Sequence, residues 1–437
     1  MIPLLKHPQL SSCLPRGKYR IWSFVIALIG FFWLLTPRLQ GVYIDHLHKE
    51  DGSIFLSESL KNGGDLFNVY TGYLHVYPRG IANICSLNNP EYFSHCTALS
   101  VAAIRVALFF LLLMLLNPYV KNVWWAIAAA ALVIFGGSGQ QEVLGNITNL
   151  RWFLDVGATA ALLGSFTTIP GILLALFLMI GGALSDPLTI ALLPIALWRL
   201  IVLPARAKIV PLVFFPIILI HIMLLEPHAR TSVILDLLSA PITFLNALVV
   251  RGMTVPLTGE SAAQLSVLLV GAFLTSLATV TIFVYTVWTC YKQAPLPTKI
   301  MSFLLFSAGI LFLTATMNFA TLDIISVNNG VAKASRYSLI ASIFVPASIL
   351  ILLSWAEEGL YQKISKIVFC GLLVVGSLVD SRGDEWSTRG PSWSETVQEV
   401  RKECANAKLE TVKVPITPQG VPKEWSATLT CKWVTSY

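Results

Sequence analysis

Apolar runs of helix length alternate with short polar breaks along nearly the whole chain, and this pattern predicts a bundle of membrane-crossing helices. Residues 21–35 form the first run, and a long polar loop over 38–96 follows it. The next run, 97–116, is long enough to cross about 30 Å of hydrocarbon at 1.5 Å per residue. Further runs lie at 123–137, 152–163, 170–184, 187–203, 208–225, 263–289, 300–319, 338–354 and 367–379, which brings the expected count to eleven. A second large loop, 226–262, contains the apolar stretch SVILDLLSAPITFLNALVV. Asp236, Pro241 and Asn246 interrupt that stretch, which predicts an interfacial or re-entrant helix, not a crossing. Residues 380–437 turn polar, and their Val, Ile and Thr alternation after prolines predicts a small β-rich tail. The expected fold is an all-α polytopic membrane protein, with a transmembrane domain over 1–379 and a tail over 380–437.

Composition supports the same class. The 437 residues are 55% hydrophobic and only 12% charged, against about a quarter charged in a soluble domain, and the mean hydropathy is +0.72. The net charge of +7 matters through its placement. Lys6, Arg16, Lys18 and Arg20 precede the first run, and Lys121, Arg199, Arg206, Lys208, Lys292 and Lys299 fall in or beside alternate breaks. By the positive-inside tendency these breaks and the N-terminus are cytoplasmic, so both large loops and the C-terminus lie outside. No small-residue cleavage site follows the first run, which is expected to be a retained span.

Seven cysteines test this topology. Cys85 and Cys96 share the first outer loop, and Cys404 and Cys431 share the tail, so each pair is expected to form a local disulfide in an oxidising compartment. Cys13, Cys290 and Cys370 are left over. No CxxC pair or His/Cys cluster suggests a metal, and neither a metal nor another cofactor is expected.

Candidate chemistry concentrates in GVYIDHLHKEDGSIFLSESLKNGGDLFNVYTGYLHVYPR, residues 41–79. Glu50 and Asp51 are candidate general bases, although helix capping is the plainer explanation of Asp51. Asp45 is an acid of lower rank. Tyr73, His75 and Arg79 follow, with Arg79 suited to a phosphate if Pro78 opens a helix, or to plain interfacial anchoring. Glu142, Asn146, Asn149 and Trp152 recur at helix-like spacing and would present amides and an indole to sugar hydroxyls. Arg151 and Asp155 are expected to pair at i,i+4. Arg336, before the tenth run, opposes the positive-inside tendency and calls for an anionic partner, with Lys333 nearby.

The stretches EDGSIFLSESLKNGGDLFNVYTGYLHVYPRGIA and EVLGNITNLRWFL, together with the late Arg-Tyr pair, resemble the GT-C superfamily of polytopic glycosyltransferases. Within it they look like the bacterial and phage-associated serotype-converting O-antigen glucosyltransferases, a group whose tail the final cysteine pair and EWSATLTC also resemble. The resemblance implies an enzyme of the bacterial inner membrane. Such an enzyme takes a sugar, glucose in that group, from a polyprenyl-phosphate donor and adds it to lipid-linked O-antigen or another periplasmic glycan. It implies an acidic base from the first outer loop, matched best by Asp51 with Glu50 as partner or rival. It implies donor-phosphate contacts at Arg79, Arg336 and Lys333. It also implies dependence on a small flippase and on a polyprenyl-phosphate sugar transferase. The first loop has no DxD, so a metal-dependent pair is not supported. An O-antigen polymerase and a transporter of lipid-linked sugars are the competing expectations; Arg105 is almost the only charge deep in a span, and no internal repeat suggests a transporter.

Overall fold

A computed structural model describes residues 12–39, 45–136, 143, 145–226, 240–317, 326–331, 335–357, 359–380, 390–406, 409–420 and 424–436. The chain is a polytopic, largely α-helical membrane protein. Its helices are α1 (Lys18–Leu39), α2 (Ser57–Asn62), α3 (Val76–Ser86), α4 (Phe93–Leu116), α5 (Val123–Phe135), α6 (Leu150–Leu163), α7 (Ile169–Ala183), α8 (Leu193–Val202) and α9 (Ile209–Met223). They continue as α10 (Pro241–Val249), α11 (Val255–Thr258), α12 (Glu260–Tyr291), α13 (Leu296–Met317), α14 (Leu339–Leu353), α15 (Leu360–Asp380), α16 (Trp393–Asn406) and α17 (Cys431–Val434).

Seven described helices are long and apolar enough to cross a membrane, where the sequence reading counts eleven. The difference lies in the middle of the chain. Val123–Phe135, Ile169–Ala183 and Pro187–Val202 are apolar but shorter, and α6 has only 14 residues, so it rises about 21 Å. Their packing compensates for their length. Every residue of α6 except Arg151 is buried, against α7, α4 and α14, so its backbone ends meet protein, as irregular structure at membrane depth requires.

One end of the bundle, termed basal here, is fixed by loop-to-loop hydrogen bonds. Ser12 N–H donates to the Ser165 carbonyl, Arg199 donates to the Gly164 carbonyl at 2.8 Å, and the Tyr119 carbonyl accepts from both Thr298 and Trp355. Of the second large loop, residues 227–239 lie outside the described part. From Pro241 to Thr258 the chain is helical throughout, passing through a π-helical turn, Val250–Thr254. It reverses at Gly259, whose φ of +85° suits a residue without a Cβ. Both expected disulfides are present, Cys85–Cys96 and Cys404–Cys431.

The tail is only partly β. It has one antiparallel pair, β1 (Thr411–Pro415) with β2 (Ser426–Thr430), and the helices α16 and α17 supply the rest of its core through Trp393, Val397, Val400 and Val434. The disulfide closes α16 onto the start of α17. The tail sits on the first polar loop. Trp393 Nε1 donates to the Pro90 carbonyl and Trp433 Nε1 to the Ser86 carbonyl, while Arg401 pairs with Glu91 at 2.7 Å. Thr417 bridges to the segment before α2, its N–H donating to Leu47 O and its carbonyl accepting from Lys49 N–H. Gly52 permits this approach: a Cβ there would lie 2.7–2.9 Å from Leu47 and Ile416.

Candidate functional site

At the end of the bundle opposite the basal loops, a cavity of about 450 Å³ opens between the first polar loop and the ends of α6, α9, α13 and α14. Its size lies within the usual range for small-ligand sites. Three stretches of chain build it. The first is the segment before α2, contributing Lys49 and Glu50. The second is the turn Tyr70–His75. The third is the start of α6, with Thr148, Asn149, Arg151 and Trp152, faced by Asp186, Glu226, Arg336 and Tyr337.

Glu50 and Asp51 are adjacent but separated in role. A π-helical turn, Asp51–Leu56, starts here, and its i→i+5 pattern ends with Ser57 N–H on the Gly52 carbonyl. Asp51 is turned inward and buried. Its carboxylate accepts from Ile147 N–H at 2.9 Å, from Thr148 N–H at 2.9 Å and from the Thr148 hydroxyl. It therefore pins the turn that starts α6 and does not line the cavity. Glu50 is half-buried, lines the cavity, and holds no hydrogen bond or ion pair among the described residues. The sequence puts Asp51 first of the two, but of this pair only Glu50 lines the cavity, where Asp186 and Glu226 are the other acids.

Burial outweighs the three donors at Asp51 and pushes its pKa up to about 6 from 3.8. The folded protein thus retains a proton between these values that the unfolded chain has released. The stabilisation is present in full below pH 3.8 and is lost as pH rises through about 6, a change of about 3 kcal/mol at 1.36 kcal/mol per unit. Thermal unfolding in detergent should therefore show wild type gaining most on Asp51→Asn at pH 4, with the gap narrowing towards pH 6. A gap that does not vary with pH would refute this coupling.

Aromatic rings form the walls. His75 stacks on Tyr73 at 4.4 Å, with Phe55 and Tyr70 at 5.6 and 5.5 Å. Burial, then the nearby Arg151 charge, holds His75 well below the ordinary imidazole range, so it is neutral at pH 7. Its Nδ1 lies 3.2 Å from the Tyr73 carbonyl; a hydrogen bond there requires the proton on Nδ1 and makes Nε2 an acceptor. Burial and the Glu50 charge push the Tyr70 phenol up to about 12, so it remains a donor. Lys49 at φ +30° and Thr71 at φ +53° are the two described non-glycine residues with positive φ, and both line the cavity. Strain of this kind persists only where the surroundings enforce it, and it clusters at functional sites.

Arg151 is the central cation. It pairs with Asp186 at 2.9 Å, not with Asp155 as its spacing suggests, and its guanidinium lies 5.2 Å from the Tyr73 ring and 4.3 Å from the Trp152 ring. Asp186 can reach it because α3 is tied to the turn before it: Val76 N–H donates to Leu184 O, and Tyr77 N–H donates to the Ser185 hydroxyl. Arg336 stacks beside Tyr337 at 5.1 Å, and Tyr337 meets Trp152 edge-on at 6.0 Å. The Trp152 indole N–H is buried with no acceptor among the described residues. A buried donor left this way at a cavity wall is suited to a polar ligand.

Several expected site residues lie elsewhere. Arg79 is buried under Phe55 and bonded to Glu58 at 2.5 Å, because its position in the first turn of α3 faces α2 and not the cavity. Asp45 accepts from the Ser392 hydroxyl and from Ser394 N–H and hydroxyl, anchoring the tail. Asn146 does not line the cavity; its side chain accepts from Asn149 N–H at 2.9 Å and shapes the turn. Glu142 and Lys333 lie outside the described residues. Tyr73, His75, Asn149, Trp152, Glu50 and Arg336 are brought together. Lys49, Tyr70, Asp186 and Glu226 also line the cavity without being expected there, although the polar breaks at 185–187 and 226 signal the last two. Among the described residues, no three His, Cys, Asp or Glu side chains converge as metal ligands.

No protein-family model matches the chain, and no curated protein matches it.

Proposed function

We propose that the protein is a membrane glycosyltransferase of the GT-C kind. It transfers a sugar, glucose by resemblance, from a polyprenyl-phosphate carrier to lipid-linked O-antigen or another glycan outside the bacterial inner membrane. The observation that carries the reading is the cavity itself, in which Glu50 faces aromatic walls, an indole donor and the cations Lys49, Arg151 and Arg336. Stacked rings suit the apolar faces of a sugar, neutral donors and acceptors suit its hydroxyls, and the cations suit a phosphate. The position at one end of the spans suits a substrate whose lipid tail stays in the bilayer.

In this mechanism Glu50 accepts the proton of the acceptor hydroxyl as its oxygen attacks the anomeric carbon. The bond from that carbon to the phosphate oxygen breaks, and the polyprenyl phosphate leaves with the electron pair. Arg336 and Lys49 offset the charge that grows on the leaving phosphate. Arg151, held by Asp186, orders Tyr73 and Trp152 against the sugar. The N-terminus and basal loops are cytoplasmic in this reading, and the tail is periplasmic. The donor is supplied by a small flippase and a polyprenyl-phosphate sugar transferase.

The test is mass and linkage analysis of surface glycan from cells carrying a complete polyprenyl-phosphate-glucose pathway, with and without this gene. One added hexose per repeat is expected with the gene. An unchanged repeat in the presence of membrane-inserted protein would reject transfer of this sugar, and longer chains of unmodified repeats would indicate a polymerase.

A further inference from the structure

The basal ends of α12, α13 and α14 enclose a second cavity, of about 350 Å³, at the opposite end of the bundle from the candidate site. Its walls are Phe283, Val287, Phe303, Phe306, Ile300 and Leu352, with Phe283 and Phe306 in ring contact at 5.0 Å. The two serines in the wall are satisfied internally: Ser302 donates to the Ser348 carbonyl, and Ser348 donates to the Val345 carbonyl. The surface they present is therefore effectively apolar. Tyr291 and Leu296, the last residue of α12 and the first of α13, form the rim, and Phe303 is 68% exposed beside it. Tyr291, Leu296 and Phe303 are all exposed on helices apolar enough to cross a membrane, so the groove borders surface that lipid chains would contact.

Among the described residues, one charged side chain lines the groove, Lys299, and no acidic one does. Its ammonium lies 4.8 Å from the Tyr291 ring, at the rim. Lys292, in the same hairpin, stacks against Trp288 at 5.4 Å. An apolar slot between helices with Lys299 at its mouth matches one occupant, a lipid with an acyl chain for the slot and an anionic headgroup for the rim. From Leu339, two residues past Tyr337 at the candidate site, to Leu352 in the groove, α14 rises 13 residues, or about 20 Å at 1.5 Å per residue. The groove is thus a separate site at the other membrane surface.

We propose that this groove binds one anionic phospholipid, its phosphate at Lys299 and one acyl chain between Phe283, Phe303 and Phe306. The site does not depend on the reaction proposed above. Native mass spectrometry of the full chain, purified in uncharged detergent and given equimolar phosphatidylglycerol and phosphatidylcholine, tests it. Wild type should retain one phosphatidylglycerol in preference to phosphatidylcholine. Lys299→Ala should reduce that preference about fivefold, the effect of one basic residue near an anionic headgroup, and Lys299→Arg should keep it. Phe303→Trp, at an exposed position, should exclude both lipids by filling the slot. Lys413→Ala, an equal loss of charge on exposed β1, should change nothing. Equal retention of the two lipids by wild type would overturn the proposal, as would an undiminished preference in Lys299→Ala. So would a dimer of the chain, lost in Phe303→Trp, in place of the lipid peak.

Discussion

Glu50→Gln is expected to lower sugar transfer by about 10²–10⁴-fold, the usual contribution of a positioned base, with expression and thermal stability close to wild type. Glutamine keeps the shape of the side chain, and Glu50 makes no hydrogen bond or ion pair among the described residues that the change would break. Asp51→Asn should behave in the opposite way. Its amide would present an N–H₂ to the donors of Ile147 and Thr148, and a mismatched buried donor costs about 1–3 kcal/mol. Stability should fall, and activity should fall only as far as the start of α6 is displaced. The two variants, measured side by side for glycan transfer and for Tm in detergent, separate the base from the brace. A fully active Glu50→Gln would remove Glu50 from the chemistry. An inactive Asp51→Asn of wild-type stability would return the role of base to Asp51.

Arg151→Ala is expected to be the most destabilising single change at the cavity. Asp186 is fully buried and already caps the turn at Leu188 through its other oxygen, so removal of its partner leaves a buried charge uncompensated. Such losses cost about 3–5 kcal/mol. The Tyr73 and Trp152 rings lose the guanidinium between them as well. Replacing both partners, as Arg151→Met with Asp186→Asn, should recover much of the stability because the Asp186 charge is removed along with its partner, yet transfer should stay low. If Arg151→Ala leaves stability within about 0.5 kcal/mol of wild type, as a surface change would, the pair is not the buried brace described.

What could be read from the sequence follows from the range of the interactions. Apolar runs and cysteine spacing are local or nearly so, and they located most of the spans and both disulfides. The short helices α5 to α8 were harder to count, because burial against one another, and not length, makes them tolerable at membrane depth. The Glu50-Asp51 pair shows a different limit. Two adjacent acids look alike in sequence, and a π-helical turn decides which faces the cavity. Asp45 is placed by a longer-range effect, since its partners Ser392 and Ser394 lie almost at the other end of the chain. Arg151 has an acid four residues on, which the i,i+4 rule favours, but the tie between α3 and the turn before Asp186 delivers a better placed one. Arg79 follows the same logic, taken by Glu58 from the preceding helix.

The bridge between Thr417 and the Leu47–Lys49 segment has a consequence for biosynthesis. Lys49 and Glu50 enter the cavity from a segment whose backbone partner is made some 370 residues later. Every membrane helix can be inserted before that partner emerges from the ribosome. The cavity wall is therefore completed last, after translation has passed β1, and a nascent or truncated chain would occupy the membrane without a finished site. Completion of this wall is in this way conditional on synthesis through Thr417.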